Sequence, residues 1–151
     1  MILDSGERRE FSSGAVRDIQ EGKGRCDLMP LRVVARMRPT GTDYLLDKIA
    51  LFQEDNDTAH LYDVLDGFCR MNYDGSLETM LLEVSKHYEE GCKKYGENNW
   101  QKGIPVNCYI DSAVRHYLKY RRGDNDENHS SAFVWNLMCC IWEVDYHDST
   151  E

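Results

Sequence analysis

The apolar periodicity of residues 77–95 constrains the fold more than any other feature of this sequence. Six apolar side chains recur there at spacings of four, three, four, four and three residues: Leu77, Leu81, Val84, Tyr88, Cys92 and Tyr95. This spacing aligns side chains along one face of an α-helix, whereas a strand would need alternation. Ser76 is a favourable N-cap, and Gly96 is a favourable C-terminal stop. The pattern predicts a long amphipathic helix that buries this apolar stripe.

Four other stretches also show helical spacing, and together the five predict an all-α fold, a helical bundle of about four to five helices. The others begin near Thr42, near 60, near 107 and near 126, and the last runs to about 144. Residues 72–75 are predicted as a turn, and no segment shows a convincing strand pattern. The last helix is apolar on most sides, which is typical of a helix in a core or at a subunit interface. This helix therefore also favours a homo-oligomer, a homodimer or homotetramer.

The N-terminal 31 residues have an unusual composition. They hold four of the 11 glycines together with five basic residues, Arg8, Arg9, Arg17, Lys23 and Arg25. Arginine side chains bind phosphate oxygens in pairs, and glycines let backbone N–H groups approach them. We therefore predict that residues 1–31 form an ordered substrate-covering segment, with one helical turn near 14–19, rather than a floppy tail. Residues 145–151 are predicted to be a frayed acidic tail of a single domain spanning 1–151.

The charge balance limits the partners of this chain. Eighteen basic residues face 27 acidic ones, so the net charge is −9. This balance argues against binding along a nucleic-acid backbone, which requires a basic surface. It would also repel a triphosphate, unless divalent cations or a local basic patch intervene.

Other bulk features concern the cellular location. The longest apolar run, 133–142, is about half of a membrane span, and the N-terminus has no signal-peptide pattern. The six cysteines form no CxxC motif and are typical of buried free thiols in a reducing compartment. Together these features predict a soluble cytoplasmic protein that does not bind a membrane.

Ionisable side chains line one ridge of the helix predicted at 77–95. Glu83, His87, Glu90 and Lys94 follow one another at spacings of four, three and four residues. They fall within roughly 60° of one another around the helix, so the carboxylates and the imidazole are candidate metal ligands. The alternative is a solvated face with an ion pair between Glu90 and Lys94.

Polar residues of the last predicted helix form a second candidate group. Asp126 and His129 stand at its beginning, and Asn136 lies one heptad after His129 on nearly the same side. Apolar residues flank Asn136, so its amide must find partners or cost roughly 1–3 kcal/mol. Two alternatives follow for the Asn136 side chain. In one it contacts a bound ligand or a metal ligand, and in the other it makes a core hydrogen bond to a neighbouring helix.

Two further patterns concern the substrate. Arg115 and His116 belong either to a solvated basic face or to the site. After Gly96, Asn99 offers an amide to a base edge, and Trp100 offers a ring for stacking; the alternative is a set of turn residues with an anchoring tryptophan. Acids, histidines, basic residues and an aromatic loop together favour metal-assisted chemistry on a nucleotide. Hard oxygen ligands select Mg²⁺ or Mn²⁺, which would neutralise the phosphates and remove the conflict with the net charge.

Several short motifs resemble a known family. GKGR at 22–25 precedes DL at 27–28, KYG at 94–96 precedes NW at 99–100, and RH at 115–116 precedes His129 and WN at 135–136. In these motifs the chain resembles the phage dATP/dGTP diphosphohydrolases of the MazZ type, and it is similar to the wider all-α, MazG-like nucleoside triphosphate pyrophosphohydrolases. The resemblance covers about half of the chain, and residues 32–81 contribute little to it.

The resemblance implies an α-helical oligomer that hydrolyses purine deoxynucleoside triphosphates, dGTP or dATP, to the monophosphate and pyrophosphate. It implies Mg²⁺ or Mn²⁺ as cofactor and a phage origin, with the protein in the host cytoplasm. The wider group carries EExxE on one helix and ExxD on the next. Here position 93 is Lys, His87 lies three residues before Glu90, and residues 126–129 are DENH.

The site residues that follow from these motifs fall into three groups. The implied metal ligands are Glu83, His87, Glu90, Asp126 and His129, or a subset of these. The implied catalytic residues are Glu90, Lys94 and Arg115. The implied substrate-binding residues are Arg17, Lys23, Arg25, Asp27, Asn99, Trp100 and Asn136. Asp27 either orients Arg25 by an ion pair or contacts the sugar.

Two other functional classes stay open. Histidine–aspartate phosphohydrolases also cleave deoxynucleoside triphosphates, but their adjacent His-Asp pair should lie inside a helix. The only such pair here, His147-Asp148, falls in the acidic tail. A non-catalytic helical module that binds a nucleotide or a protein would not need acids and histidines aligned on two helices.

Overall fold

A computed structural model describes residues 5–72 and 76–147 of the chain. The α-helices are α1 (Leu31–Val34), α2 (Tyr44–Asp55), α3 (Ala59–Asn72), α4 (Leu77–Tyr95), α5 (Val106–Arg122) and α6 (His129–Asp145). The strands are β1 (Arg8–Glu10) and β2 (Val16–Asp18), and short 3₁₀ turns form at Cys26–Leu28 and Asn99–Lys102. The molecule is 64% helical, which confirms the all-α prediction.

The number of helices in the described ranges is six, slightly more than expected. The additional helix is the four-residue α1, which follows Pro30. Proline is tolerated before the first turn of a helix because the N–H it lacks would have no partner there. The bounds predicted for α4 are confirmed, and the Oγ of Ser76 accepts a hydrogen bond from the Thr79 N–H as expected for an N-cap. The predicted turn at 72–75 lies for the most part outside the described residues.

The N-terminal segment contains an antiparallel hairpin. Strand β1 pairs with β2 in the register Arg9 opposite Arg17. The helical turn expected near 14–19 is therefore wrong, and so is the expectation that no strand forms. Gly14 explains the difference, because it adopts a φ of +89° in the turn that joins the strands and an L side chain there would be strained.

Helix α6 lies at the centre of the fold. It packs against α3, α4 and α5, and its residues Phe133, Val134 and Leu137 are fully buried. This central position explains why the helix is apolar on most sides.

The buried face of α4 differs from the predicted one. Val84 is buried and Tyr88 packs against the core as predicted, but Leu77 is 50% exposed and Leu81 is 40% exposed. The face that packs inward instead carries Met80, Val84 and His87. Gly91 continues this face: a Cβ there would lie 3.5 Å from Trp135 of α6. Because Gly91 has no side chain, α6 approaches α4 closely there, and the face of α4 that contains Gly91 packs inward instead of the predicted apolar stripe.

Two other local expectations changed in detail. Helix α2 is capped by Asp43 rather than by Thr42, since the Asp43 Oδ1 accepts from the N–H groups of Leu45 and Leu46. At the C-terminus, Asp145 ends α6 and accepts a hydrogen bond from Thr58 Oγ1. The remainder of the predicted acidic tail, 148–151, lies outside the described residues.

All six cysteines are free, and four of them are buried. Burial raises the pKa of the Cys139 thiol to about 11, so this thiol stays protonated and unreactive at neutral pH. Within the described parts of the chain, none of the helices combines the length and apolarity needed to cross a bilayer.

Candidate functional site

Two histidines meet where α5 turns into α6. The Nδ1 atoms of His116 and His129 lie 2.9 Å apart, and His129 Nε2 lies 2.7 Å from Asp126 Oδ1. Glu127 Oε1 lies 3.8 Å from His116 Nδ1. The geometry follows from the turn, because Gly123 ends α5 at a φ of +91° and the short connection after it sends α6 back along α5.

Burial sets the electrostatics of this pair. It lowers the pKa of His116 to about 3, and the neighbouring His129 imidazole acts in the same direction. The hydrogen bond from His129 in turn lowers the pKa of Asp126, although burial opposes this. The cluster therefore combines the neutral imidazole of His116 with carboxylates.

This chemistry fits a divalent cation. Potential ligand atoms of His116, Glu127 and His129 lie within 4.8 Å of one another, and so do those of Asp124, Asp126 and His129. We call these five residues the imidazole–carboxylate cluster. Neutral imidazole and carboxylate oxygen are the ligands of Mn²⁺ and related ions, whereas Mg²⁺ prefers oxygen alone. The predicted ligands Asp126 and His129 belong to the cluster.

The ridge on α4 is separate from this cluster. In the described parts of the chain, no group of three potential ligands includes Glu83, His87 or Glu90. His87 is 4% exposed, and its Nε2 lies 2.6 Å from Ser131 Oγ. Its imidazole stacks on Trp135 with ring centroids 5.3 Å apart. Burial lowers the pKa of His87 to about 4, so this imidazole is neutral at physiological pH.

The remaining residues of the ridge are nearer to solvent. Glu83 forms an ion pair with Lys86 at 3.0 Å, while Glu90 and Lys94 are half-buried. The negative charges of Glu90 and Glu83 favour the protonated form of His87, but burial outweighs them. The roles assigned to the ridge as metal ligands and catalytic groups stay predictions.

Arg17 projects from β2 into the helical body. Its Nη2 donates to Asn136 Oδ1 at 3.0 Å, and its guanidinium lies 5.1 Å from the centre of the Tyr109 ring. Asn136 also donates from Nδ2 to the Ala132 carbonyl oxygen at 2.8 Å. The predicted core hydrogen bond to a neighbouring helix therefore does not form: the amide bonds within α6 and to β2, where it orients the Arg17 cation.

Two donors next to Asn136 have no acceptor among the described residues. They are Arg17 Nη1 and the hydroxyl of Tyr109, both buried. A buried donor without an acceptor is costly, and two such donors near one another favour an acceptor-rich ligand such as a phosphate. Arg17 is also close enough to His116 to lower its pKa, so these donors and the cluster share one region of the fold.

Lys23 and Arg25 of the N-terminal segment already have partners. Lys23 pairs with Asp18 at 2.9 Å. Arg25 forms two hydrogen bonds to the carboxylate of Asp27, at 2.8 and 2.7 Å. Of the two alternatives for Asp27, the structure therefore contains the ion pair, and binding of substrate by these residues stays a prediction.

Arg115 fastens the N-terminal segment to α5. Its Nη2 donates to both Asp111 carboxylate oxygens at 2.7 Å and to the Gly24 carbonyl oxygen at 2.8 Å. Asp111 in turn accepts from the Cys26 N–H at 2.6 Å. These contacts hold residues 23–26 over α5, and they occupy the guanidinium that was predicted to be catalytic.

Asn99 and Trp100 lie under the hairpin. The amide of Asn99 exchanges two hydrogen bonds with the backbone N–H and carbonyl of Val16, each at 2.8 Å. Trp100 packs edge-on against Tyr88 and Trp142. Asn99 is thereby engaged with the protein backbone, while Trp100 also faces a cavity of about 220 Å³ at the end of α4.

The residues of the site that were not assigned from the sequence are His116, Glu127, Asp124 and Tyr109. His116 was assigned with Arg115 either to a solvated basic face or to the site, without a role as a metal ligand. One signal was present: α5 and α6 are joined by a short loop, so residues at similar distances from it are expected to face one another. The buried hydroxyl of Tyr109 carries no comparable signal, because its apolar spacing matches an ordinary core residue.

Fold and site together define a helical protein with side chains that are able to hold a metal ion, in the same region of the fold as a half-buried arginine. A family model described as "dATP/dGTP diphosphohydrolase, N-terminal" matches residues 68–150, more than half of the chain. The chain belongs to this family, which confirms the resemblance seen in the motifs. The matched region includes α4, α5, α6 and the whole imidazole–carboxylate cluster. No curated protein and no solved structure matches the chain.

Proposed function

We propose that this protein hydrolyses purine deoxynucleoside triphosphates, dGTP or dATP, to the monophosphate and pyrophosphate with the help of Mg²⁺ or Mn²⁺. The observation that carries the proposal is the imidazole–carboxylate cluster, in which His116 and His129 meet at 2.9 Å within the region matched by the diphosphohydrolase family. In the reaction, a water oxygen forms a bond to the α-phosphorus and the bond from this phosphorus to the bridging oxygen breaks. Pyrophosphate leaves with that oxygen, and the proton of the water passes to a carboxylate of the cluster.

The ion would be held by His116, Glu127 and His129, with Asp124 and Asp126 alongside. When bound, it would neutralise phosphate charge and polarise a phosphoryl oxygen. The mixed nitrogen and oxygen ligands favour Mn²⁺ over Mg²⁺. The low pKa of His116, about 3, favours metal binding, because the imidazole of this residue is neutral at working pH and a metal ligand must be unprotonated.

Arg17 is the residue best placed to bind the phosphates. Its Nη2 donates a hydrogen bond to Asn136, and its guanidinium lies over the ring of Tyr109, which fixes the plane of the guanidinium. This leaves Nη1 and the Tyr109 hydroxyl to donate to one substrate oxygen each. Such donors are already oriented before the substrate arrives, which lowers the entropic cost of binding.

The test is an incubation of the purified protein with each of the eight common nucleoside triphosphates and Mg²⁺ or Mn²⁺, followed by product analysis. We expect deoxyguanosine or deoxyadenosine monophosphate with pyrophosphate, loss of turnover in EDTA, and recovery on adding back the ion. Release of inorganic triphosphate would indicate the histidine–aspartate class, and no product would indicate a binding module. Undiminished turnover in EDTA would contradict the metal-assisted mechanism.

Variants locate the ion independently of turnover. His116→Gln and His129→Gln should each reduce Mn²⁺ affinity at least tenfold, as followed by electron paramagnetic resonance of the free ion. His147→Gln is the matched control, since His147 forms an ion pair with Glu143 and belongs to none of the groups of potential metal ligands in the described residues. Equal loss of affinity in the control would show that the cluster is not the site of binding.

A further inference from the structure

The outer edge of strand β2 needs partners from outside the hairpin. Arg9 and Arg17 stand opposite one another, and the Phe11 N–H donates to the Ala15 carbonyl oxygen at 2.9 Å. Hydrogen-bonded pairs alternate along an antiparallel ladder, so the N–H and the carbonyl of Val16 point away from β1. Backbone groups that are shielded from water are costly without hydrogen bonds. The half-buried Val16 therefore requires a donor and an acceptor from another part of the fold.

The side chain of Asn99 supplies both. Its Oδ1 accepts from the Val16 N–H and its Nδ2 donates to the Val16 carbonyl oxygen, each at 2.8 Å, as a neighbouring strand would do. The side chain is only 7% exposed. The turn that carries it is anchored, because Trp100 packs edge-on against Tyr88 and Trp142. Asn99 thus transmits the position of this turn to β2.

The position of β2 determines where the side chain of Arg17 lies. Arg17 directly follows Val16 in β2. Its guanidinium lies 3.0 Å from Asn136 Oδ1 on α6 and 5.1 Å from the centre of the Tyr109 ring on α5. Both contacts require the backbone of β2 to lie at a fixed distance from the two helices.

Two other attachments of the N-terminal segment lie further from Arg17 along the chain. Ser13 Oγ donates to the Gly103 carbonyl oxygen, four residues before Arg17. Arg115 donates to the Gly24 carbonyl oxygen at 2.8 Å, seven residues after Arg17. These contacts hold the segment to the helical body independently of the amide, so loss of the amide should displace β2 locally.

We propose that Asn99 is a positioning residue for Arg17. It fixes the backbone of β2 so that the guanidinium meets the phosphates of the substrate in a preset orientation, and it acts through Arg17 rather than by contacting the base. The inference rests on the proposed function, which gives Arg17 its phosphate. A misplacement of about 1 Å can cost roughly 100-fold in rate, so the loss of two backbone hydrogen bonds is sufficient to affect turnover.

The first experiment follows β2 without any substrate. Asn99→Ala removes both hydrogen bonds, and backbone hydrogen exchange of residues 13–18, measured by mass spectrometry, should become at least tenfold faster. Asn98→Gly is the matched control, because Asn98 is exposed and has a φ of +60°, which glycine adopts freely. Exchange in this control should stay unchanged. Equal exchange in Asn99→Ala and in the unmodified protein would show that Asn99 does not hold β2 and would overturn the proposal.

The second experiment distinguishes the phosphates from the base. Inorganic tripolyphosphate carries no base, and calorimetry measures its binding to the intact protein in the presence of Mn²⁺. Asn99→Ala and Arg17→Ala should each weaken this binding at least tenfold, and Asn98→Gly should leave it within twofold. Unchanged binding in Asn99→Ala would overturn the positioning role alone and favour a contact with the base. Absence of binding to the unmodified protein would overturn the phosphate role of Arg17 and the positioning role together.

A double-mutant cycle separates action through Arg17 from a general loss of structure. In the Arg17→Ala background no guanidinium is left to position, so Asn99→Ala should weaken tripolyphosphate binding by less than twofold there. Effects of the two changes that multiply would overturn the proposal. Asn99→Asp guards against misfolding of Asn99→Ala, since it keeps the volume and the acceptor but places a carboxylate oxygen against the Val16 carbonyl. It should weaken binding at least tenfold and show the same dependence on Arg17.

Discussion

The role of Arg17 can be tested by replacing it with lysine, which keeps the charge and removes the fork. The structure assigns three contacts to this guanidinium: a hydrogen bond to Asn136 at 3.0 Å, the face of the Tyr109 ring at 5.1 Å, and a buried Nη1 without an acceptor among the described residues. If Nη1 donates to a phosphate oxygen, Arg17→Lys loses one charge-assisted hydrogen bond, which is worth about 1.5–3 kcal/mol. This loss corresponds to a decrease of roughly 10- to 150-fold in kcat/KM.

The effect on stability should be smaller than the effect on activity. Loss of the bond to Asn136 costs about 1 kcal/mol, and a weaker contact with the Tyr109 ring adds about 0.5–1 kcal/mol. The assays are pyrophosphate release from dGTP with Mn²⁺ and unfolding in urea. Arg32→Lys serves as the control, because Arg32 forms an exposed ion pair with Glu54 on the surface. A folded Arg17→Lys protein with kcat/KM within twofold of the unmodified protein would refute the assignment of Arg17 to the phosphates.

Three further outcomes are expected. His87 has a folded pKa of about 4 against an ordinary value of 6.5, so the unfolded chain binds a proton at this histidine first and the free energy of unfolding falls as the pH drops from 6.5 towards 4. At pH 5 this loss of stability amounts to about 2 kcal/mol. Urea unfolding of His87→Gln should lack this part of the pH dependence, and an identical pH dependence in both proteins would refute the buried neutral imidazole. The resemblance to the family implies that Glu90 is a metal ligand, although it lies outside the imidazole–carboxylate cluster. Under this assignment, Glu90→Gln should abolish dGTP turnover while circular dichroism stays unchanged, and retention of a tenth or more of kcat would show that another carboxylate is essential. Light scattering at micromolar concentration should give the mass of a homo-oligomer, and a monomeric mass for the unmodified protein would contradict the prediction. Since Leu82 is 68% exposed on α4, Leu82→Glu should shift the mass towards that of the monomer.

Local patterns in the sequence were sufficient to locate α4. Its first and last residues were predicted because Ser76 and Gly96 act on the backbone groups next to them, and apolar spacing indicates a helix whatever its neighbours are. The same spacing did not predict which face of α4 is buried. That face depends on α6, which approaches closely at Gly91 and selects His87 rather than Leu81 for the interior.

The candidate site was predicted in part for the same reason. The motifs identified the family, and Asp126 and His129 were singled out together because they stand three residues apart at one helix end. Their partner His116 lies 13 residues from His129 along the chain, and no periodicity within one helix relates the two. Likewise, 119 residues separate Arg17 from Asn136. Helix limits and caps arise from interactions over a few residues and are determined by the sequence directly. The pairing of His116 with His129 and of Arg17 with Asn136 depends on how whole elements pack, which only the tertiary structure decides.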